Sequence, residues 1–476
     1  MVLQGGGSLG AYEAGAYKAL YEWLSKKDKE EKWDKTRTFD IIAGTSIGAI
    51  NAAVLTSYVV EHDSYDGSVE RLEEFWKYVS RVSMVDINPW FTMWWDTMHS
   101  INRSIATGEA ARRYYSAREF AISGVPNVFS PRMPMFYNKF LDYTNTWYRF
   151  SNKPLKKALE KFAKFPIATR HEDNQPRLLL VSVDVADGVA VTFDSYPKED
   201  GVRKSEYGKY ITQGEKEIGF EHVIRYDDGI TADHVMASGS YPVNFDYAML
   251  EVESYKSNLN KDRQADKDER KSVEGRIEFS KNMSYQNEKR HFWDGGLMTN
   301  TPLTQLVLYQ RNYWYQIRKL KDKVPTLGIC VINVHPTSQP EIPTDHDGIV
   351  NRNNDITFSD RSNREEEALL IISDYVDLIR ELIDTAKKNG VKDNAIDKLL
   401  DQQTKYHGNF LKPRKYREIV EGIYDIGEIV RIERKNDEHT ISDKTFDFSS
   451  GTIAYLFSDG YRDTVNYIKD WETRTN

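Results

Sequence analysis

Apolar residues in this chain fall into short unbroken runs and into longer stretches with helical spacing, and the two kinds alternate. Phe39-Asp40-Ile41-Ile42-Ala43 is a run that leads into Gly44-Thr45-Ser46-Ile47-Gly48, and small and apolar residues then continue at the spacing of a buried helix. The pattern predicts strand, sharp turn, helix. The chain opens in the same way. Met1-Val2-Leu3-Gln4 reads as a strand, Gly5-Gly6-Gly7-Ser8-Leu9-Gly10 as a loop, and Ala11 to Leu24 as a helix. Ser68 to Val79 is amphipathic, and residues 100–170 are helical stretches punctuated by Pro126, Pro131, Pro134 and Pro154.

Arg177 to Val185 is a continuous apolar strand, Asp187-Gly188 a hairpin turn and Val189 to Asp194 the return. A further strand is expected at Glu221 to Tyr226, a short helix opening at Thr231, a helix from Leu303 to about Leu320, and a strand from Thr326 to Val334. Beyond these, Asn363 to Lys388 is an amphipathic helix stopped by Gly390, Glu428 to Ile432 a strand, and Ser449 to Trp471 a closing helix. Strands alternating with helices predict an α/β fold in three layers, with a mainly parallel central sheet, helices on both faces and a mostly helical carboxy-terminal extension.

Some stretches break the alternation. Residues 25–38 and 256–290 are densely polar and read as solvated, the second as an exposed insertion. Asn88-Pro89-Trp90-Phe91-Thr92-Met93-Trp94-Trp95-Asp96-Thr97-Met98 is the opposite, a proline-broken cluster of large apolar side chains. It suits core packing, an apolar flap over an acyl-chain pocket, or a patch that touches lipid.

Composition narrows the functions. A net charge of −8 gives no electrostatic reason to expect nucleic acid as a partner. The single cysteine, Cys330, lies in an apolar run and reads as a core residue in a reducing compartment. No apolar run reaches the roughly 18 residues that cross a bilayer, and no leader is visible, so a soluble cytoplasmic protein is expected. The chain begins inside strand-like sequence, which points to a longer native amino terminus.

Ser46 stands between two glycines at a strand-to-helix turn. Side chains at Gly44 and Gly48 would collide with the neighbouring strand and helix there, so only the serine hydroxyl points outward, beside the free N–H groups of a helix start. That is the arrangement of an activated nucleophile, although a Gly-Thr-Ser turn also simply starts helices.

The glycines at 5–7 turn backbone N–H groups toward a common point. Gly5, Gly7 and Gly10 match the spacing of a dinucleotide fingerprint, but the acidic residue that would hold a ribose, Asp40, is at the wrong end of the second strand. An oxyanion hole formed by the amides of Gly5, Gly6, Gly7 and Ser8, facing a carbonyl attacked by Ser46, competes with that reading and with a purely structural turn.

Asp294-Gly295-Gly296 follows an aromatic strand and is either an ordinary turn or a carboxylate held where close approach is possible. A serine needs a base, and a Ser–Asp–His order can be assembled from Ser46, Asp294 and His335. However, an α/β-hydrolase places its nucleophile after several strands. Here it closes the second.

Four blocks in order resemble the patatin-like phospholipases: Gln4-Gly5-Gly6-Gly7-Ser8-Leu9-Gly10-Ala11-Tyr12, Gly44-Thr45-Ser46-Ile47-Gly48, Ala237-Ser238-Gly239-Ser240-Tyr241-Pro242 and Asp294-Gly295-Gly296. The chain departs from many relatives at Gln4, where they carry Asp, and at Leu9, where they carry Arg or Lys. The resemblance implies a Ser46–Asp294 dyad without histidine, no metal and no cofactor. It implies a serine lipid acyl hydrolase acting on phospholipids, lysophospholipids or related esters, with contact at a membrane surface left open. A His-dependent esterase for small esters and a catalytically weak lipid-binding regulator are the alternatives. Residues 1–336 would form the catalytic domain, with insertions at about 85–170 and 256–290, and 337–476 an extension packed on it.

Overall fold

The computed structural model describes residues 1–30, 38–83, 108–131, 150–213, 216–242, 244–258, 284–404, 415–435 and 440–475. The aromatic stretch at 88–98 and the centre of the polar stretch at 256–290 lie outside them. Ten strands form one sheet: β1 (Val2–Leu3), β2 (Ile41–Thr45), β3 (Arg177–Asp184), β4 (Val189–Asp194), β5 (Lys204–Gln213), β6 (Lys216–Arg225), β7 (Ala248–Asn258), β8 (Ser284–Asp294), β9 (Leu327–Asn333) and β10 (Ile426–Glu433).

From the β10 edge the order is β10-β9-β1-β2-β3, and every pairing in this half is parallel. The expected parallel sheet holds there. The strands between residues 189 and 294 instead pair antiparallel, because turns such as Asp187-Gly188 join neighbours without a crossover helix. The flanks of the expected polar insertion are part of this half, with β7 and β8 paired from Ala248 opposite Phe292 out to Lys256 opposite Ser284.

Successive side chains on a strand point to opposite faces, and the parallel half uses both. Leu3, Ile42, Leu178, Leu180 and Ile332 enter one core. It is covered by α1 (Gly10–Glu30), α2 (Ile47–His62), α3 (Ser68–Val79) and the closing helix Ser450–Thr475, which contributes Ile453, Leu456 and Ile468. Val2, Ala43, Leu179 and Val331 enter a second core beneath Leu303, Leu306 and Val307 of the helix Leu303–Asn312 and Leu369 of the helix Ser362–Lys388. The unbroken apolar runs of β2 and β3 are thereby explained: no position on these strands faces water. The segment after residue 336 joins this architecture directly, since β10 is a strand of the sheet and Tyr12 Oη donates to Asp463 on the closing helix at 3.1 Å.

Candidate active site

The register on β3 brings two distant residues together. β2 lies opposite Arg177–Val181 and β8 opposite Ser182–Asp184, while β4 takes the other edge of β3 along both stretches. β2 and β8 therefore share one edge and run head-on toward each other. Thr45 faces Val181 and Asp294 faces Ser182, so the two strands end at consecutive positions of β3.

Ser46 follows β2 and caps α2 with φ 57° and ψ −122°. A non-glycine residue in this region carries backbone strain of about 1–3 kcal/mol, which the surroundings must hold in place. The neighbours are built for it. A β-carbon at Gly48 would come within 2.5 Å of the Leu3 carbonyl oxygen, so α2 approaches β1 at a distance that only glycine allows. The Ser46 amide donates to Ser238 Oγ at 2.9 Å, and Ser238 Oγ donates to the Val181 carbonyl at 2.6 Å. The side chain of Ser46 is half-buried.

Asp294 is 2% exposed and accepts hydrogen bonds from the Ser46 side chain and, at 2.8 Å, from the Gly296 amide. Its own amide donates to the Ser240 carbonyl at 3.0 Å. Burial pushes its pKa up to about 7, with the two hydrogen bonds pulling the other way. No cation forms a salt bridge to it among the described residues.

The glycine loop stands against the nucleophile: a β-carbon at Gly5 would lie 2.8 Å from Ser46 Cβ. The four amides expected to face the oxyanion differ in their use. Gly5 N–H is engaged, donating to Asn300 Oδ1 at 3.0 Å. Those of Gly6, Gly7 and Ser8 meet no acceptor among the described residues. The Ser8 hydroxyl donates to the Lys444 carbonyl at 2.7 Å.

His335, the base of the alternative triad, lies behind this loop. Nε2 donates to the Gly5 carbonyl at 3.1 Å, and Nδ1 is 3.2 Å from Asp355 Oδ1. The ring is buried, which holds its pKa below the ordinary value, with Asp355 acting against burial. Both ring nitrogens are thus occupied away from Ser46.

Three residues that sequence reasoning left without a role support the site: Ser238 under the Ser46 amide, Ser240 under the Asp294 amide, and Asn300 on Gly5. The run of small residues at Ala237 to Ser240 was the signal, since only small side chains pass so near a turn. Asn300 gave none.

The model of the family described as patatin-like phospholipase matches residues 1–307, more than half of the chain. Among curated proteins no match is found. Among solved structures, the crystal structure of VipD from Legionella pneumophila aligns with 98% of this chain and 66% of its own at 12% identity, with a TM-score of 0.29. This chain therefore spans just under two thirds of that protein's length.

Proposed function

This chain belongs to the patatin-like phospholipases, and from that membership we propose that it is a serine lipid acyl hydrolase working through Ser46 and Asp294. The observation that carries the reading is the meeting of β2 and β8 on one edge of β3, which sets a strained serine beside a buried carboxyl that accepts its hydrogen bond.

A carboxylate with an ordinary pKa is a weak base at neutral pH. Asp294, pushed up to about 7, is close to the value that serves proton transfer there. Ser46 Oγ attacks the acyl carbonyl of a phospholipid, lysophospholipid or related ester, and its proton passes to Asp294. The carbonyl electrons move onto oxygen, where the uncommitted amides of Gly6, Gly7 and Ser8 are the donors within the loop; one such donor is worth about 10²–10³ in rate. The C–O bond to the alcohol then breaks, the alcohol leaves with the proton from Asp294, and water repeats the sequence on the acyl-Ser46 ester. No step needs a metal or a cofactor.

Leu297 and Met298, directly after the Asp294-Gly295-Gly296 turn, are 41% and 54% exposed. Apolar side chains at this rim suit an acyl chain and a lipid surface, which supports peripheral membrane contact. The location of Nε2 and Nδ1 of His335 favours the dyad over a triad.

The test is labelling with a fluorophosphonate together with turnover of a long-chain p-nitrophenyl ester. The reading expects label on Ser46 and turnover, both lost in Ser46→Ala. Label without turnover would instead favour the lipid-binding regulator.

A further inference from the structure

The glycine loop is held from behind by residues of the carboxy-terminal segment. Lys444 Nζ donates to Asp355 Oδ1 at 2.5 Å, and the same oxygen is 3.2 Å from His335 Nδ1. A carbonyl oxygen only accepts, so the His335 nitrogen facing Gly5 carries the hydrogen, and a line of close contacts runs from Lys444 through Asp355 and the His335 ring to the loop. Lys444, Asp355 and His335 are each at most 6% exposed.

A second grip comes from the same lysine, whose carbonyl takes the Ser8 hydroxyl. Gly7 sits between the two at φ 58°, where a β-carbon would come within 2.4 Å of the Thr445 carbonyl oxygen, so the loop lies flat on the 444–446 turn. A third contact, Asn300 Nδ2 to the Phe358 carbonyl at 2.6 Å, fixes the side chain that receives the Gly5 amide.

Each of these three contacts ends on the Gly5–Ser8 loop: at the Gly5 carbonyl, at the Ser8 hydroxyl and, through Asn300, at the Gly5 amide.

We propose that the carboxy-terminal segment is part of the catalytic apparatus: its Lys444 and Asp355, together with the His335 ring they hold, are positioning residues that set where the amides of Gly6 and Gly7 stand. The inference rests on the acyl-hydrolase reading above. Buried charge pairs are sensitive to loss of one partner, because the other is left without compensation. Removing a member should therefore displace the loop more than it weakens substrate binding, and the loss falls on kcat.

The experiment uses the full chain and measures kcat, KM and the rate of fluorophosphonate labelling for Ser8→Ala, Lys444→Met and His335→Ala. The phosphonyl oxygen occupies the same hole as the substrate oxyanion, so labelling reports on the hole independently of turnover. We expect kcat and the labelling rate to fall together, by about 3- to 10-fold for Ser8→Ala and about 10- to 100-fold for the other two, with KM within about twofold. Folded variants with unchanged kcat and labelling, or with KM raised alone, overturn the proposal. Where circular dichroism shows that Lys444→Met has not folded, the deciding variant is Ser8→Ala, which removes one hydroxyl and no charge. Ser46→Ala separates the two readings: full activity there sinks the hydrolase assignment, whereas a dead Ser46→Ala beside an unaffected Ser8→Ala sinks only the positioning role.

Discussion

On the proposed reading Asp294 is the residue on which the chemistry turns, and its burial has consequences in both activity and stability. As a base it must be ionised, so kcat/KM should rise with pH through an apparent pKa of about 7 and level off above it. Asp294→Asn keeps the acceptor for the Gly296 amide but not the base, and should lose about 10²–10⁴ in kcat. Stability moves in the opposite sense. The folded pKa lies above the ordinary 3.8, so folding favours the protonated acid. That contribution is complete below the ordinary pKa and is lost as pH rises through about 7, where the fold begins to hold an uncompensated charge. The Asn variant should therefore gain Tm over the parent at about pH 8.5 and gain little at about pH 5. Thermal melts at both values check this, and an equal difference at both would count against a buried, shifted Asp294.

At the scale of elements, the site is made by two strand ends that meet on one edge of β3. The individual strands were legible: the apolar runs at 39–43 and 177–185 are β2 and β3, and Ser68–Val79 is a helix with the expected bounds. Their meeting was not legible, because register across a sheet is a tertiary property, and nothing in the sequence of β8 states which edge it joins. The long ribbons were only partly legible: a strand was expected at Glu221 to Tyr226, overlapping β6, but the polar, charged residues at 256–290 read as an exposed insertion although the stretches flanking it pair as β7 and β8. Gly295 exposes the dependence on strand docking. Its β-carbon would stand 2.3 Å from the Val181 carbonyl oxygen, so Gly295→Ala should lift the end of β8 from β3 and part Asp294 from Ser46. We expect a stability loss of about 1–3 kcal/mol and a fall in kcat of at least about tenfold. Gly328→Ala in β9, where a β-carbon meets nothing within 4 Å, is the control and should change neither.

For the whole molecule, the boundary between a catalytic unit and an extension was easier to draw on the sequence than it is in space. The family match ends at residue 307, before β9, yet β9 is the neighbour of β1, and β10 pairs in turn with β9. The closing helix covers α1, with Trp23 Nε1 donating to Glu472 at 2.8 Å and Lys27 Nζ lying 4.7 Å from the Trp471 ring centroid. A chain cut after residue 307 would leave β1 as a bare edge beside the glycine loop, and one cut after residue 336 would uncover the apolar face of α1. Both should lack a cooperative thermal transition and resist labelling at Ser46. A truncated chain that melts at the parent Tm would show that the later residues are dispensable. Among the described residues no helix is long and apolar enough to cross a membrane.

The account stands on the pairing of Ser46 with Asp294 as an acyl-transferring unit. Its most direct test is mass spectrometry of the products formed from a mixed lipid extract by the intact chain, Ser46→Ala and Asp294→Asn, with fatty acid and the matching deacylated lipid as the readout. We expect both products from the intact chain and neither above background from the two variants. Release by either variant at the rate of the intact chain would contradict the account.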